Sequence, residues 1–393
     1  MGNQQSAIEI ILGSAETARK SDLLLDGALC VKTSHGLDPL NRMLIEGAQQ
    51  TPAERIVSIL TPDALPAAAM ARLRPESKGL YFHIDLYHTR RAEEAAQRNA
   101  APKLDCVCAP NLPMNAEPDL ALLWAGPGPE QGLLLEMLRQ AHARMKKGGK
   151  LLTAINNPRD QWLRRQIERT FGNVSVLQSS RKGTLYSAKK KDDPSTAAPM
   201  TDANQFMVKL TRAKAMELVA EFNTCYGVFC NGALDAGSRA LLNALDGAEQ
   251  DAAVLDLGCG WGALGIFYAL KHGAKRLTLI DSNARAMNMA GRNSALLLNG
   301  APVSLRHEDR CESILNGEAE TGAYDVVLSN PPYSTEFAVM ELFVNAAHRA
   351  LRPGGQAWFV TKSNPKLHER LQKTFRQIQT QEKNGYVISR AVK

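Results

Sequence analysis

The stretch Ala252-Ala253-Val254-Leu255-Asp256-Leu257-Gly258-Cys259-Gly260-Trp261-Gly262 decides the fold of this chain. Its apolar first half predicts a buried strand, its glycines a tight turn, and the apolar run from Ala263 to Leu270 a helix directly after them. Glycines at such a junction let the backbone approach a ligand at a helix N-terminus, where unpaired N–H groups favour anions. About eighteen residues on, Leu277-Thr278-Leu279-Ile280-Asp281 predicts a second strand, ending in a carboxylate suited to ribose hydroxyls. Gly260-x-Gly262-x-x-Gly265 also fits the dinucleotide fingerprint, a weak pattern by itself.

A second stretch names a chemistry. The run Tyr324-Asp325-Val326-Val327-Leu328-Ser329 predicts another buried strand, and Asn330-Pro331-Pro332-Tyr333 sits at its carboxyl end, where α/β proteins bind ligands. The tetrapeptide resembles the catalytic signature of methyltransferases that act on a planar, conjugated nitrogen: an exocyclic amine of adenine, cytosine or guanine, or the amide of glutamine. Asp256-x-Gly258-x-Gly260-x-Gly262 resembles their S-adenosylmethionine (AdoMet) loop, and the two motifs stand in the order such enzymes use. The nitrogen of such an amine is a poor nucleophile until acceptors hold its N–H bonds and aim it. The side-chain oxygen of Asn330 and the carbonyl of Pro331 suit that task, the prolines fix φ and donate no N–H, and Tyr333 is placed to stack on the target. Asn-Pro alone is ordinary turn punctuation, and the glycine loop ahead of it favours the chemical reading.

The expected cofactor set is Asp256, Gly258, Cys259, Gly260, Gly262, Asp281, Ser282, Asp309, Arg310 and Asn330. Asp309 follows the apolar stretch Val303 to Leu305 and by position resembles the acidic residue that meets the adenine amino group. Cys259 needs only to be small. Trp261 either walls the cofactor pocket or covers the following helix. Beyond these, Ala338 to Leu351 has helical periodicity, Pro353-Gly354-Gly355 turns the chain, and Gln356 to Val360 is a strand. Leu367 to Phe375 is a helix, and Ile378 to Gln381 with Tyr386 to Ser389 reads as a hairpin about Asn384-Gly385.

Upstream lies a second copy. Asp119 parallels Asp325 and Gly148 parallels Gly354 at one offset, since 325 − 119 and 354 − 148 both equal 206. Phe82-His83-Ile84-Asp85 echoes Thr278-Leu279-Ile280-Asp281. This copy has lost its chemistry: Trp124 stands at the place of Asn330, and Thr61-Pro62-Asp63-Ala64 at the place of the glycine loop. The chain therefore reads as α/β, with two tandem Rossmann-like class I methyltransferase domains, the N-terminal one degenerate. We place that degenerate domain, suited to support and RNA binding, at residues 1–188, a polar, proline-bearing linker at 189–202 and the catalytic domain at 203–393.

Composition sets the outer limits. With 393 residues and 44% hydrophobic content the chain suffices for two cores, and no apolar run reaches membrane-spanning length. Seven scattered cysteines suggest reduced thiols and a cytosolic setting, with Cys106-Val107-Cys108 in a strand and no metal-ligand spacing. No secretory signal is legible, and Met1 to Ser6 fits a lipidation pattern only loosely. The net charge of +7 fits an RNA partner, and Arg90-Arg91, Lys146-Lys147, Arg164-Arg165, Arg181-Lys182 and Lys189-Lys190-Lys191 are candidate phosphate contacts.

The duplication, the segment Tyr226-Gly227-Val228-Phe229-Cys230-Asn231-Gly232-Ala233-Leu234-Asp235-Ala236-Gly237-Ser238, and Asn330 to Tyr333 together resemble the bacterial ribosomal-RNA guanine-N2 methyltransferases of the small and large subunits. The resemblance implies methyl transfer from AdoMet to the exocyclic amine of a guanine, with ribosomal RNA or a ribosomal subunit as partner; with the cysteine usage and hydropathy above, the expectation is a cytoplasmic monomer with no metal and no membrane. It also implies that Phe229 and Asp235 lie near the active site, and both join the expected cofactor set. Asn231-Gly232-Ala233 and Tyr333 depart from the residues common in that family, which bears on the target more than on the reaction. A glutamine-N5 release-factor methyltransferase and an N6-adenine nucleic-acid methyltransferase are the alternatives, the former expected to carry a short helical amino-terminal domain.

Overall fold

The structure, a computed structural model, describes residues 7–12, 19–24, 38–62, 65–99, 101, 103–191, 206–245, 248–332, 337–362 and 365–393. Tyr333, the Met1 to Ser6 stretch and most of the expected linker lie outside the described residues. The chain divides into two compact units, Met1–Phe206 and Met207–Lys393.

The amino unit opens with the hairpin β1 (Ala7–Leu12) and β2 (Arg19–Leu24). It continues through α1 (Pro39–Gln49), β3 (Arg55–Ile59), α2 (Leu65–Leu73), β4 (Lys78–His83), α3 (Leu86–Arg98), β5 (Leu104–Cys108) and β6 (Leu120–Ala125). α4 (Gln131–Arg144), β7 (Lys150–Ile155), α5 (Trp162–Phe171), β8 (Ser175–Ser180) and β9 (Gly183–Lys189) complete it. The carboxyl unit begins with a second hairpin, β10 (Val208–Ala215) and β11 (Leu218–Cys225), then α6 (Ala236–Leu242), β12 (Ala253–Leu257), α7 (Ala263–His272), β13 (Arg276–Asp281) and α8 (Ala284–Leu297). It ends with β14 (Val303–His307), α9 (Glu312–Leu315), β15 (Tyr324–Ser329), α10 (Phe337–Ala350), β16 (Leu351–Thr361), α11 (Pro365–Thr374), β17 (Gln377–Lys383) and β18 (Tyr386–Val392).

The two seven-stranded sheets have one topology: β5-β4-β3-β6-β7-β9-β8 and β14-β13-β12-β15-β16-β18-β17. Six strands of each sheet run in one direction, and one, β9 or β18, runs antiparallel to both of its neighbours. Every residue of β6, β12 and β15 is buried, as parallel strands covered on both faces require. The β17–β18 turn is Asn384-Gly385 with both residues at positive φ, the geometry that matches strand twist.

One device recurs in both units. Asp325, ahead of most of β15, accepts the N–H of Ala253 at the start of β12 at 2.7 Å and pairs with Lys275 and Arg352. Asp119, just before β6, accepts the N–H of Arg55 at the start of β3 at 2.9 Å and pairs with Lys146. The carboxylate thus fixes the register of the two central strands in each sheet, which is why this residue anchors the repeat.

Strand register corrects one part of the repeat. Ala253 pairs with Arg276 as Arg55 pairs with Lys78, so the first halves match at an offset of 198 (253 − 55, 276 − 78). His83, not Asp85, then occupies the place of Asp281, and Asp85 occupies that of Asn283. Both of the latter cap the following helix. Pro353-Gly354-Gly355 is also not a separate turn ahead of a strand. It lies inside β16 as a break in pairing, residues 352–355 standing opposite Asp325 alone between the Tyr324–Leu351 and Val326–Gln356 pairs.

Candidate active site

Strands β12 and β15 are neighbours in register, Leu257 opposite Ser329, and the Ser329 hydroxyl donates to the Leu257 carbonyl at 2.9 Å. The glycine loop and Asn330 therefore leave the sheet side by side, about 4.8 Å apart in the pairing direction. The topology thus unites the two motifs that lie seventy residues apart in sequence (Asn330 against Gly260).

The loop is a shaped seat. Gly258 and Cys259 both donate their N–H groups to the Ile280 carbonyl at 2.9 Å, so the loop hangs from the end of β13. Gly258, Gly260 and Gly262 take φ of +70°, +56° and +89°, where an L side chain is strained. A Cβ on Gly260 would meet nothing within 4 Å, so the loop faces open space there, and a Cβ on Gly265 would sit 2.8 Å from Leu277 and Leu279. α7 starts at Gly262, which has no side chain to cap it, and of its first turn the Gly265 N–H is taken by Asp256.

Three carboxylates surround this seat. Asp256 is fully buried and accepts the Gly265 N–H at 2.9 Å, while its Oδ1 has no hydrogen-bond partner among the described residues. Asp281 accepts the N–H of Gly260 at 2.8 Å and of Asn283 at 2.8 Å, which ties loop to strand end and leaves a carboxylate lone pair for a further donor. The Asp309 side chain is 1% exposed, with Arg310 Nε 3.8 Å away. The Ser282 carbonyl pairs with His307 Nε2 at 2.8 Å. A Gly260 cradle open to space, a helix start whose cap residue is a glycine and a buried acceptor atom without a partner among the described residues fit a ligand with amine, carboxylate and hydroxyl groups.

Burial pushes the Asp256 carboxyl from 3.8 up to about 7, opposed by the Gly265 N–H and reinforced by Asp281. The folded chain therefore keeps a proton that the unfolded chain releases from about pH 4, so stability falls as pH rises through the window from about 4 to about 7. Asp256→Asn removes this contribution: in urea titrations its stability relative to wild type is expected to improve between about pH 4 and pH 7, and a constant difference would contradict the assignment. Burial also lifts the Cys259 thiol well above its ordinary value, helped by Asp281 and Asp256, so it serves as a small buried side chain and not as a nucleophile.

Asn330 is held from the other side. Its amide Nδ2 donates to Asp235 Oδ2 and to Ser238 Oγ, each at 2.9 Å. A carboxylate oxygen only accepts, so the amide orientation follows from its partner and Oδ1 points away from this pair. Asp235 also caps α6 by accepting the Ser238 N–H at 2.9 Å. Pro331 is buried and Pro332 exposed. The amino unit keeps this frame with another occupant: Asp38 caps α1, and its Oδ1 accepts from the Trp124 indole N–H at 3.4 Å. That indole is 7% exposed, and a Cβ on Gly126 would lie 2.2 Å from it. The place of the Asn330 amide is filled by a core side chain, and Pro62 supplies no N–H where Gly260 donates to Asp281.

Sequence reasoning missed several supports. Asn283 Nδ2 donates to the Gly227 carbonyl at 2.7 Å and Arg285 Nη1 to that of Tyr226 at 2.8 Å, pinning the segment ahead of Asp235 onto α8. Asn293 bonds both the backbone of Asn223 and the Trp261 carbonyl. Trp261 packs on Phe222 with ring centres 4.8 Å apart, so it covers the β10–β11 hairpin. Phe229 is 60% exposed. Among the described residues no group of three or more His, Cys, Asp or Glu is placed to hold a metal, and no helix is long and apolar enough to cross a membrane.

Comparison with known proteins supplies the context. The methyltransferase small domain family matches residues 219–390. The ribosomal RNA large subunit methyltransferase G of Stutzerimonas stutzeri (strain A1501) is 32% identical over 251 residues, 62% of this chain and 62% of that protein, just under two thirds of its length. The protein of the same name from Ectopseudomonas mendocina (strain ymp) is 30% identical over 269 residues, 66% of this chain and 68% of that protein. The T. thermophilus 16S rRNA N2 G1207 methyltransferase, solved with AdoMet and guanosine, shares the fold over 91% of this chain and 92% of its own, with a TM-score of 0.71 and 21% identity.

Proposed function

This chain belongs to the ribosomal RNA large subunit methyltransferase G family, and on that premise we propose that it transfers a methyl group from AdoMet to the exocyclic N2 amine of a guanine in ribosomal RNA. The observation that carries the reading is the clamped amide of Asn330, which issues from the strand beside the glycine loop.

The glycine loop and the first turn of α7 suit the methionine end of AdoMet, Asp281 its ribose, and Asp309 its adenine. AdoMet supplies an activated methyl on a sulfonium. Asn330 Oδ1 and the Pro331 carbonyl then accept the two N–H bonds of the guanine amine, hold its lone pair toward the methyl, and stabilise the charge that develops as the nitrogen is alkylated. Tyr333 stacks on the base. No general base is required, because the alkylated amine is acidic enough to lose its proton to water. Residues 1–188 serve as the degenerate supporting domain, 189–202 as linker and 203–393 as the catalytic domain of a cytoplasmic monomer.

Ser238 is a positioning residue in this scheme. Ser238→Ala removes one of the two acceptors of the Asn330 amide, and the loss of one hydrogen bond of about 1 kcal/mol lowers kcat about fivefold while KM for RNA stays near wild type. Ser238→Thr restores kcat. A rise in KM alone would place Ser238 in substrate binding instead.

The reading is tested by offering AdoMet with a labelled methyl to protein-free ribosomal RNA, to each ribosomal subunit and to release factors. Label is expected on ribosomal RNA. Label on a release factor alone would overturn it.

A further inference from the structure

The carboxyl unit carries a second feature outside the methyl-transfer site, an open groove along α6 lined by Lys214, Arg239, Lys271 and Lys383. Its one acidic side chain, Glu217, is 3.5 Å from Lys271 and is taken up by it. Lys214, Arg239 and Lys383 have no ion-pair partner among the described residues and are exposed. Four cations against one acid on a single concave face is an anion-binding arrangement.

The wall of the groove reaches the active site. α6 begins at Asp235, which clamps Asn330, and its seven residues extend about 10 Å away from it. Tyr386 packs against the start of α6, so closely that a Cβ on Gly237 would lie 2.9 Å from its ring, and Lys383 is the cross-strand partner of Tyr386. Val387 pairs with Thr361 at the carboxyl end of β16, which puts Lys383 at the active-site end. Lys271 lies at the far end, where the His272 carbonyl accepts the N–H of Asp251 ahead of β12. The tip of the β10–β11 hairpin, which brings Lys214, is fixed to the end of α6 by the Met216 N–H on Asn243 Oδ1 at 2.9 Å. The cations thus form a track leading away from Asn330, held by secondary structure instead of by a mobile loop.

We propose that this track binds the RNA phosphodiester backbone flanking the target guanine, an inference that rests on the ribosomal-RNA reading. Lys383 takes the phosphate nearest the flipped base, and Arg239 and Lys214 take those beyond it. The groove holds the strand so that the amine arrives at Asn330 in register, and it reads no sequence.

The test uses the full chain with Lys214→Gln, Arg239→Gln and Lys383→Gln combined, and a fluorescent protein-free ribosomal RNA fragment. Affinity is expected to fall at least tenfold at low salt, and the slope of log affinity against log salt to shrink by about 2, or about 0.7 per lost phosphate contact. AdoMet affinity and the thermal midpoint stay at wild-type values. Glu217→Gln, which removes the one acid lining the groove among the described residues, is expected to tighten binding, a gain that misfolding does not produce. If wild type binds and methylates the RNA while the triple variant matches its affinity and slope, the groove is overturned and the function stands. If wild type neither binds nor methylates RNA, the function falls and the groove with it.

Discussion

Asn330→Ala is expected to lower kcat for methyl transfer by about 10²–10³-fold, the range seen when a preorganised group facing transition-state charge is removed. AdoMet affinity changes little, because Asp256, Asp281 and the glycine loop keep their own hydrogen bonds without Asn330. Asp235 and Ser238 lose a donor but stay solvent-accessible or helix-bonded, so folding is expected to survive. The amino unit shows that the frame tolerates another side chain, since Asp38 holds Trp124 at the same place. Single-turnover kinetics with saturating AdoMet checks the prediction, and wild-type activity in the variant would remove Asn330 from the chemistry.

The largest expected effect on stability is at Asp325. Its carboxyl is 6% exposed, yet its pKa falls from 3.8 to about 2: burial opposes ionisation, and Lys275, the Ala253 N–H and Arg352 outweigh it. Asp325→Ala orphans the buried Ala253 N–H and breaks two ion pairs whose cations are themselves half in solvent, at a cost of about 2–3 kcal/mol. Asp325→Asn keeps the acceptor and costs less. Because the folded-state pKa is depressed, the carboxylate's contribution is present above about pH 4 and disappears as pH falls through about 2. Denaturant midpoints near neutral pH and near pH 3 check both points. An alanine variant as stable as wild type would mean that strand register is fixed elsewhere.

The parts of this molecule legible in sequence are those written in contiguous residues. The runs before Gly258, Asn330 and Trp124 are mostly apolar because parallel strands are buried on both faces, and Asp119 and Asp325 mark the repeat because each caps a neighbouring strand. Asp85 resembles Asp281 in sequence because both are acidic and follow a strand, but Asp85 is a helix cap, and only strand pairing puts His83 at the register position of Asp281. The β10–β11 hairpin is faint in sequence because its inward residues on β10 are Thr211, Ala213 and Ala215, which give weak alternation. The Asp235–Ser238–Asn330 clamp joins residues more than ninety positions apart, so sequence shows only a helix cap and a turn.

The measurement that bears most directly on the central claim is the identity of the methylated nucleoside. Ribosomal RNA treated with the purified chain and AdoMet carrying a labelled methyl, digested to nucleosides and resolved by mass spectrometry, is expected to yield labelled N2-methylguanosine, absent with Asn330→Ala. Label in N6-methyladenosine, or none in RNA and some in glutamine of a release factor, would contradict the account.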